Sequence, residues 1–151
     1  MNAPPVPEPV ARALSHYPAP VGARLLEIRA LIFAVATQTE GVGPLTETLK
    51  WGEPAYLTEA SRSGTTIRLG ATKSAPDAGA VLLNCKTNLI EAFRASFADI
   101  FAFEGNRAII VPTTAPLPQA PLALCLRAAL TYHRKTGRSS ITPGKPAVPL
   151  P

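Results

Sequence analysis

Thr46-Glu47-Thr48-Leu49-Lys50-Trp51-Gly52-Glu53-Pro54-Ala55-Tyr56-Leu57 contains the only tryptophan of a 151-residue chain, followed by a glycine and, two positions later, a proline. As local signals, Pro44 suits the first position of a short helix and Gly52 can take the left-handed conformation that ends one, while Pro54 drives Glu53 into extended backbone. The stretch therefore predicts a sharp corner between a short helix and a strand. Trp51 and Tyr56 at that corner are rings with a polar tip, the kind of side chain that lines recognition pockets.

On the N-terminal side of the corner, Val21, Leu25, Ile28, Leu31, Ile32 and Val35 recur at helical spacing and predict a long helix ending between Thr39 and Gly43. On the C-terminal side the period changes. Ile67, Leu69 and Ala71 alternate with Thr66 and Arg68, the signature of a half-buried strand, and Pro76-Asp77-Ala78-Gly79 has the residues of a tight turn. Ala80 to Lys86 would return antiparallel. Asn88 with Glu91 forms a capping pair ahead of Leu89, Ile90, Phe93 and Phe97, and Arg107 to Val111 reads as a central strand halted at Pro112. A last helix is expected from Gln119 to Lys135, with Gly137 as its stop.

The expected fold is thus α+β, in the order α-α-β-β-β-α-β-α, with helices packed on a mostly antiparallel sheet of about four strands. Residues 1–15 are expected to form a proline-rich mobile segment, with room for one helical turn between Val10 and Ser15; residues 16–136 form the domain, and residues 137–151 a disordered basic, proline-rich tail. A chain of this length buries roughly two thirds of its unfolded surface, so it needs no disulfide or structural metal.

Apolar residues make up 46% of the chain and charged residues 17%, yet the longest apolar run, Ala30 to Ala36, is far short of a bilayer span. The N-terminus, Asn2-Ala3-Pro4-Pro5-Val6-Pro7-Glu8-Pro9, has no basic region followed by an apolar one, which points away from a secretory signal and towards the cytoplasm. Cys85 and Cys125 both sit in apolar runs outside any Cys-x-x-Cys or Cys/His cluster and are expected to be buried free thiols.

The net charge of +5 is unevenly placed: from Arg107 onward there are six basic residues and no acidic one. That excess raises nucleic-acid association through the C-terminus as one reading, against a simply solvated tail and a favourable helix C-terminus at His133-Arg134-Lys135. His16 and His133 have no second ligand at metal spacing, no serine lies in a Gly-x-Ser-x-Gly turn, and Gly41-Val42-Gly43-Pro44 has no phosphate-loop lysine. No cofactor motif is present, and binding is expected rather than catalysis. Trp51, Glu53, Tyr56, Arg68 and Arg107 are the candidate ligand-binding residues, the two arginines because each lies in an otherwise small or apolar strand. Glu47, Glu53 and Glu59 could hold a hard cation only if they converge.

The same residues carry a resemblance. Leu25-Leu26-Glu27-Ile28-Arg29, then Leu49 to Tyr56, a hairpin, Phe103-Glu104-Gly105-Asn106-Arg107-Ala108-Ile109 and Ala129-Leu130-Thr131-Tyr132-His133 resemble the bacterial YdhG-like family, a domain of unknown function. The likeness covers about residues 16–135, and the Trp-Gly-x-Pro-x-Tyr corner is its most specific part. It implies a compact α+β domain and no established enzymatic activity. One branch of that family is described as frataxin-like and handles intracellular iron through acidic surface residues; this chain departs from that pattern, being basic overall with few acids. The leading expectation is a binding module for a small molecule or a protein partner, with iron handling and nucleic-acid association as alternatives.

Overall fold

The computed structural model describes residues 3–134. Four helices, α1 (Glu8–Leu14), α2 (Ala19–Gln38), α3 (Leu89–Phe97) and α4 (Gln119–Leu130), accompany six strands: β1 (Thr46–Lys50), β2 (Glu53–Leu57), β3 (Ile67–Thr72), β4 (Ala75–Leu82), β5 (Ala102–Glu104) and β6 (Ala108–Val111). The strands form one antiparallel sheet in the order β1-β2-β3-β4-β6-β5. The α+β class and the antiparallel sheet agree with the sequence reading, but the sheet has six strands rather than four.

The difference begins at the corner. The segment before Gly52 is not a helix: Lys50 pairs directly with Glu53, so Trp51 and Gly52 alone make the turn of a β-hairpin. Both have positive φ, 56° and 77°, the combination that a two-residue hairpin of right-handed twist requires. A glycine at positive φ serves a helix end and a hairpin turn equally well.

The other hairpin is also displaced. Thr72 pairs with Ala75, so the turn is Lys73-Ser74, and Pro76 to Gly79 lie inside β4. Pro76 is tolerated there because the pairing of β4 with β6 covers only Gly79 to Leu82, leaving Pro76 beyond that ladder. β5, three residues at the sheet edge, was not anticipated. α4 ends at Leu130 rather than Lys135, with Thr131 as its C-cap and the His133 N–H donating to the Ser63 carbonyl at 2.8 Å. Asn88 precedes α3 without a side-chain cap; instead Thr87 Oγ1 accepts from the Leu89 N–H.

α1, α2 and α4 each have a proline at the N-cap and another within the first turn, where the missing N–H would have had no helical partner anyway. α1 buries Val10 and Leu14 against the main core, so the packed body reaches back ahead of residue 16. The expected tail, residues 137–151, lies outside the described residues.

All four helices contribute to one hydrophobic core together with Tyr56, Ile67, Leu69, Val81, Ile109 and Val111 from one face of the sheet. Alternate positions on the opposite face, Ala80, Leu82, Ala108 and Ile110, form a separate small cluster with no helical residue in it. These four side chains are buried, and Glu53 and Arg68 of β2 and β3 lie on the same face.

Candidate functional site

Strand alternation sends the residues of the hairpin to opposite faces. Tyr56 is fully buried on the helical face, where its hydroxyl donates to Glu47 Oε2 at 2.8 Å and its ring meets Phe33 edge-on with centroids 5.7 Å apart. Burial, and then the adjacent Glu47 carboxylate, push the Tyr56 hydroxyl well above the usual phenol range. Glu47 is held in turn by Arg29 of α2. Tyr56 therefore belongs to the core and does not share a surface with Trp51.

Trp51 stands at the opposite extreme, 91% exposed at the tip of its hairpin. It forms one wall of a groove of about 280 Å³ whose other walls include Lys50, Thr66, Arg68, Asn84, Cys85 and Arg107. Arg68 Nη1 bonds Glu53 Oε1 at 2.7 Å, and Arg107 also lies close enough to Glu53 to act on its charge. Four of the five sequence candidates are thus neighbours, and Tyr56 is the one the fold places elsewhere.

Glu53 lies across β2 and β3 from Gly70, and the missing side chain there makes room for it: a Cβ at Gly70 would fall 2.6 Å from Glu53 Oε2 and 3.2 Å from the Tyr17 hydroxyl. Desolvation raises the Glu53 carboxyl above its ordinary pKa, opposed by Arg68 and Arg107. The Tyr17 hydroxyl is raised too, by burial first and by Glu53 second.

The remaining groups are donors. Among the described residues neither Lys50 nor Arg107 forms an ion pair, and the Asn84 side-chain oxygen accepts from the Lys86 N–H, leaving its amide hydrogens free to donate. Cys85 is exposed rather than buried, because β4 ends at Leu82 and the chain has left the sheet by then. Lys50 and Asn84 carry no signal in the sequence and Cys85 reads there only as a buried thiol, because their approach depends on sheet pairing; only the adjacency of Lys50 to Trp51 points to it. An exposed ring, three cations and several neutral donors around one paired carboxylate form a site suited to an anion.

The three carboxylates weighed as metal ligands do not converge. Glu47 is bound to Arg29, Glu53 to Arg68, and Glu59 accepts from the Thr46 hydroxyl at 2.9 Å. No cluster of three metal-ligating side chains occurs among the described residues. A larger cavity, about 520 Å³, lies between α1 and α2 against Val6, Leu14, Tyr17 and Leu26, but its Ser15 hydroxyl is committed to the Arg12 carbonyl. It lacks the converging polar groups that orient a ligand. No helix among the described residues is long and apolar enough to cross a membrane. Comparison with family models, with curated proteins and with solved structures finds no match to this chain.

Proposed function

We propose that this chain is a non-catalytic binding module, of the YdhG-like kind and cytoplasmic, whose site is the groove beneath Trp51 and whose ligand is a small anion. The observation that carries the reading is the backbone at Trp51. A bulky residue at positive φ costs about 1–2 kcal/mol relative to glycine or asparagine, and this one also exposes 91% of its ring. Strain at an exposed aromatic beside Lys50, Arg68 and Arg107 has no packing return and fits a binding role.

Cations and neutral donors dominate the groove and the carboxylate beside it, Glu53, is held by Arg68, which favours binding over turnover. Iron handling is the weaker reading, since Glu47, Glu53 and Glu59 are each engaged with other side chains.

Equilibrium dialysis against inorganic phosphate and sulfate tests the reading. Binding that weakens with added salt and is lost in Arg107→Gln and Lys50→Gln supports it. An undiminished signal in both variants, or no binding at all, rejects it.

A further inference from the structure

We infer that the groove takes a ligand in which a planar ring is joined to a single anionic group, the ring stacking on Trp51 and the anion seated between Arg68 and Arg107 after displacing Glu53. This rests on the groove being the binding site and specifies what fills it.

Two features argue for a ring. The Trp51 indole presents its surface to solvent and makes no aromatic pair among the described residues, so its face is available for stacking. The groove's volume of about 280 Å³ is at the lower end for small-molecule sites, enough for one ring and one anionic group rather than a chain of them.

Two more argue for how the anion binds. Glu53 Oε1 on Arg68 Nη1 at 2.7 Å is a carboxylate already occupying the position that an incoming phosphate or carboxylate would take. Its side chain lies over Gly70 with the Tyr17 hydroxyl nearby, and its one side-chain hydrogen bond among the described residues is the one from Arg68, so yielding that position to a ligand breaks a single ion pair. Arg107, which lines the same groove as Arg68, then supplies the second cation. Glu53 thus acts as an internal competitor that sets the minimum strength of anion the groove accepts.

Fluorescence and dialysis with four probes test this: inorganic phosphate, a nucleoside monophosphate, benzoate, and an uncharged nucleoside. Stacking on an aromatic side chain is worth about 1–3 kcal/mol, so the ring-bearing anions should bind about 5- to 150-fold tighter than inorganic phosphate and quench Trp51. The uncharged nucleoside should bind no better than phosphate. Comparing the monophosphate with benzoate shows which anionic group the arginines prefer. Trp51→Asn should reduce the ring-bearing probes to the phosphate level, and Glu53→Gln should tighten all three anions. Bound probe should also slow alkylation of Cys85.

If phosphate binds and the ring adds nothing, the inference fails while the anion-binding reading stands. If no anion binds, both fail. A single-stranded oligonucleotide binding far tighter than its monomer, with a steep salt dependence, would make the groove part of a nucleic-acid interface and overturn the small-molecule assignment.

Discussion

Arg29 of α2 and Glu47 of β1 meet at two points beneath the sheet, Nε to Oε2 at 2.6 Å and Nη2 to Oε1 at 2.9 Å, with both side chains less than a tenth exposed. Tyr56 adds a third bond to the same carboxylate, and the Arg29 guanidinium lies 4.9 Å above the centre of the Phe33 ring. The hydrogen bonding of Arg29 to the Glu47 carboxylate is the main reason the Arg29 proton is held more tightly than usual. The edge hairpin is thereby fastened to the longest helix.

Breaking that pair from one side strands a buried charge. Glu47→Ala should therefore cost about 3–5 kcal/mol, a large share of a domain's total stability, whereas Tyr56→Phe should cost only about 1 kcal/mol. The double variant Arg29→Met/Glu47→Leu should be less destabilised than Glu47→Ala. Urea denaturation gives all three values, and a double variant destabilised more than Glu47→Ala would show that the pair is not coupled.

A second joint holds the end of α4. Ser63 Oγ donates to the Leu130 carbonyl at 2.7 Å and the Thr65 N–H to the Ala129 carbonyl at 2.9 Å, so the loop before β3 supplies donors to carbonyls at the helix end. Gly64 sits between them so closely that a Cβ would meet the Ala129 oxygen at 2.5 Å and the Leu130 carbonyl group closer still. These are backbone atoms and cannot step aside. Gly64→Ala should lose about 1–3 kcal/mol, and Ser63→Ala about 1 kcal/mol, in the same denaturation experiment.

How much was legible follows from which signals are local. The α2 stripe, the Ile67/Leu69 alternation and the apolar run of β6 are periodic over several residues, and each stands where the sequence placed it. β1 was not legible: Thr46-Glu47-Thr48-Leu49-Lys50 has one apolar residue, and its strand character rests on Glu47 finding Arg29 eighteen residues back. The groove was half legible. Arg68 and Arg107 stood out as charges within apolar strands, but Asn84 and Cys85 join them only because β3, β4 and β6 lie side by side.

The hairpin offers a test in which stability and function move in opposite directions. Asn-Gly is the preferred pair for a turn with two positive φ values, so Trp51→Asn should relieve the left-handed strain at residue 51. A gain of about 1 kcal/mol would raise the melting temperature by about 4 °C, because the indole is exposed and little packing is lost. The same variant should bind a ring-bearing anion no more tightly than inorganic phosphate. A fall in melting temperature would mean that the indole packs on the groove.

Glu53 links the groove to pH. Burial raises its folded-state pKa above the unfolded value, so the folded protein binds this proton more readily than the unfolded chain does. The stability this contributes is fully present below the unfolded carboxylate pKa, near 4.3, and is lost as pH rises through the folded value. Denaturation of the parent and of Glu53→Gln across the acidic range should therefore diverge, the parent losing stability relative to the variant as pH increases. Protonation also releases Arg68 from its partner, so sulfate, whose charge does not change over this range, should bind the parent more tightly as pH falls. In Glu53→Gln that dependence should flatten, with affinity already high at neutral pH. Sulfate binding that weakens on acidification would show that Glu53 does not compete for Arg68.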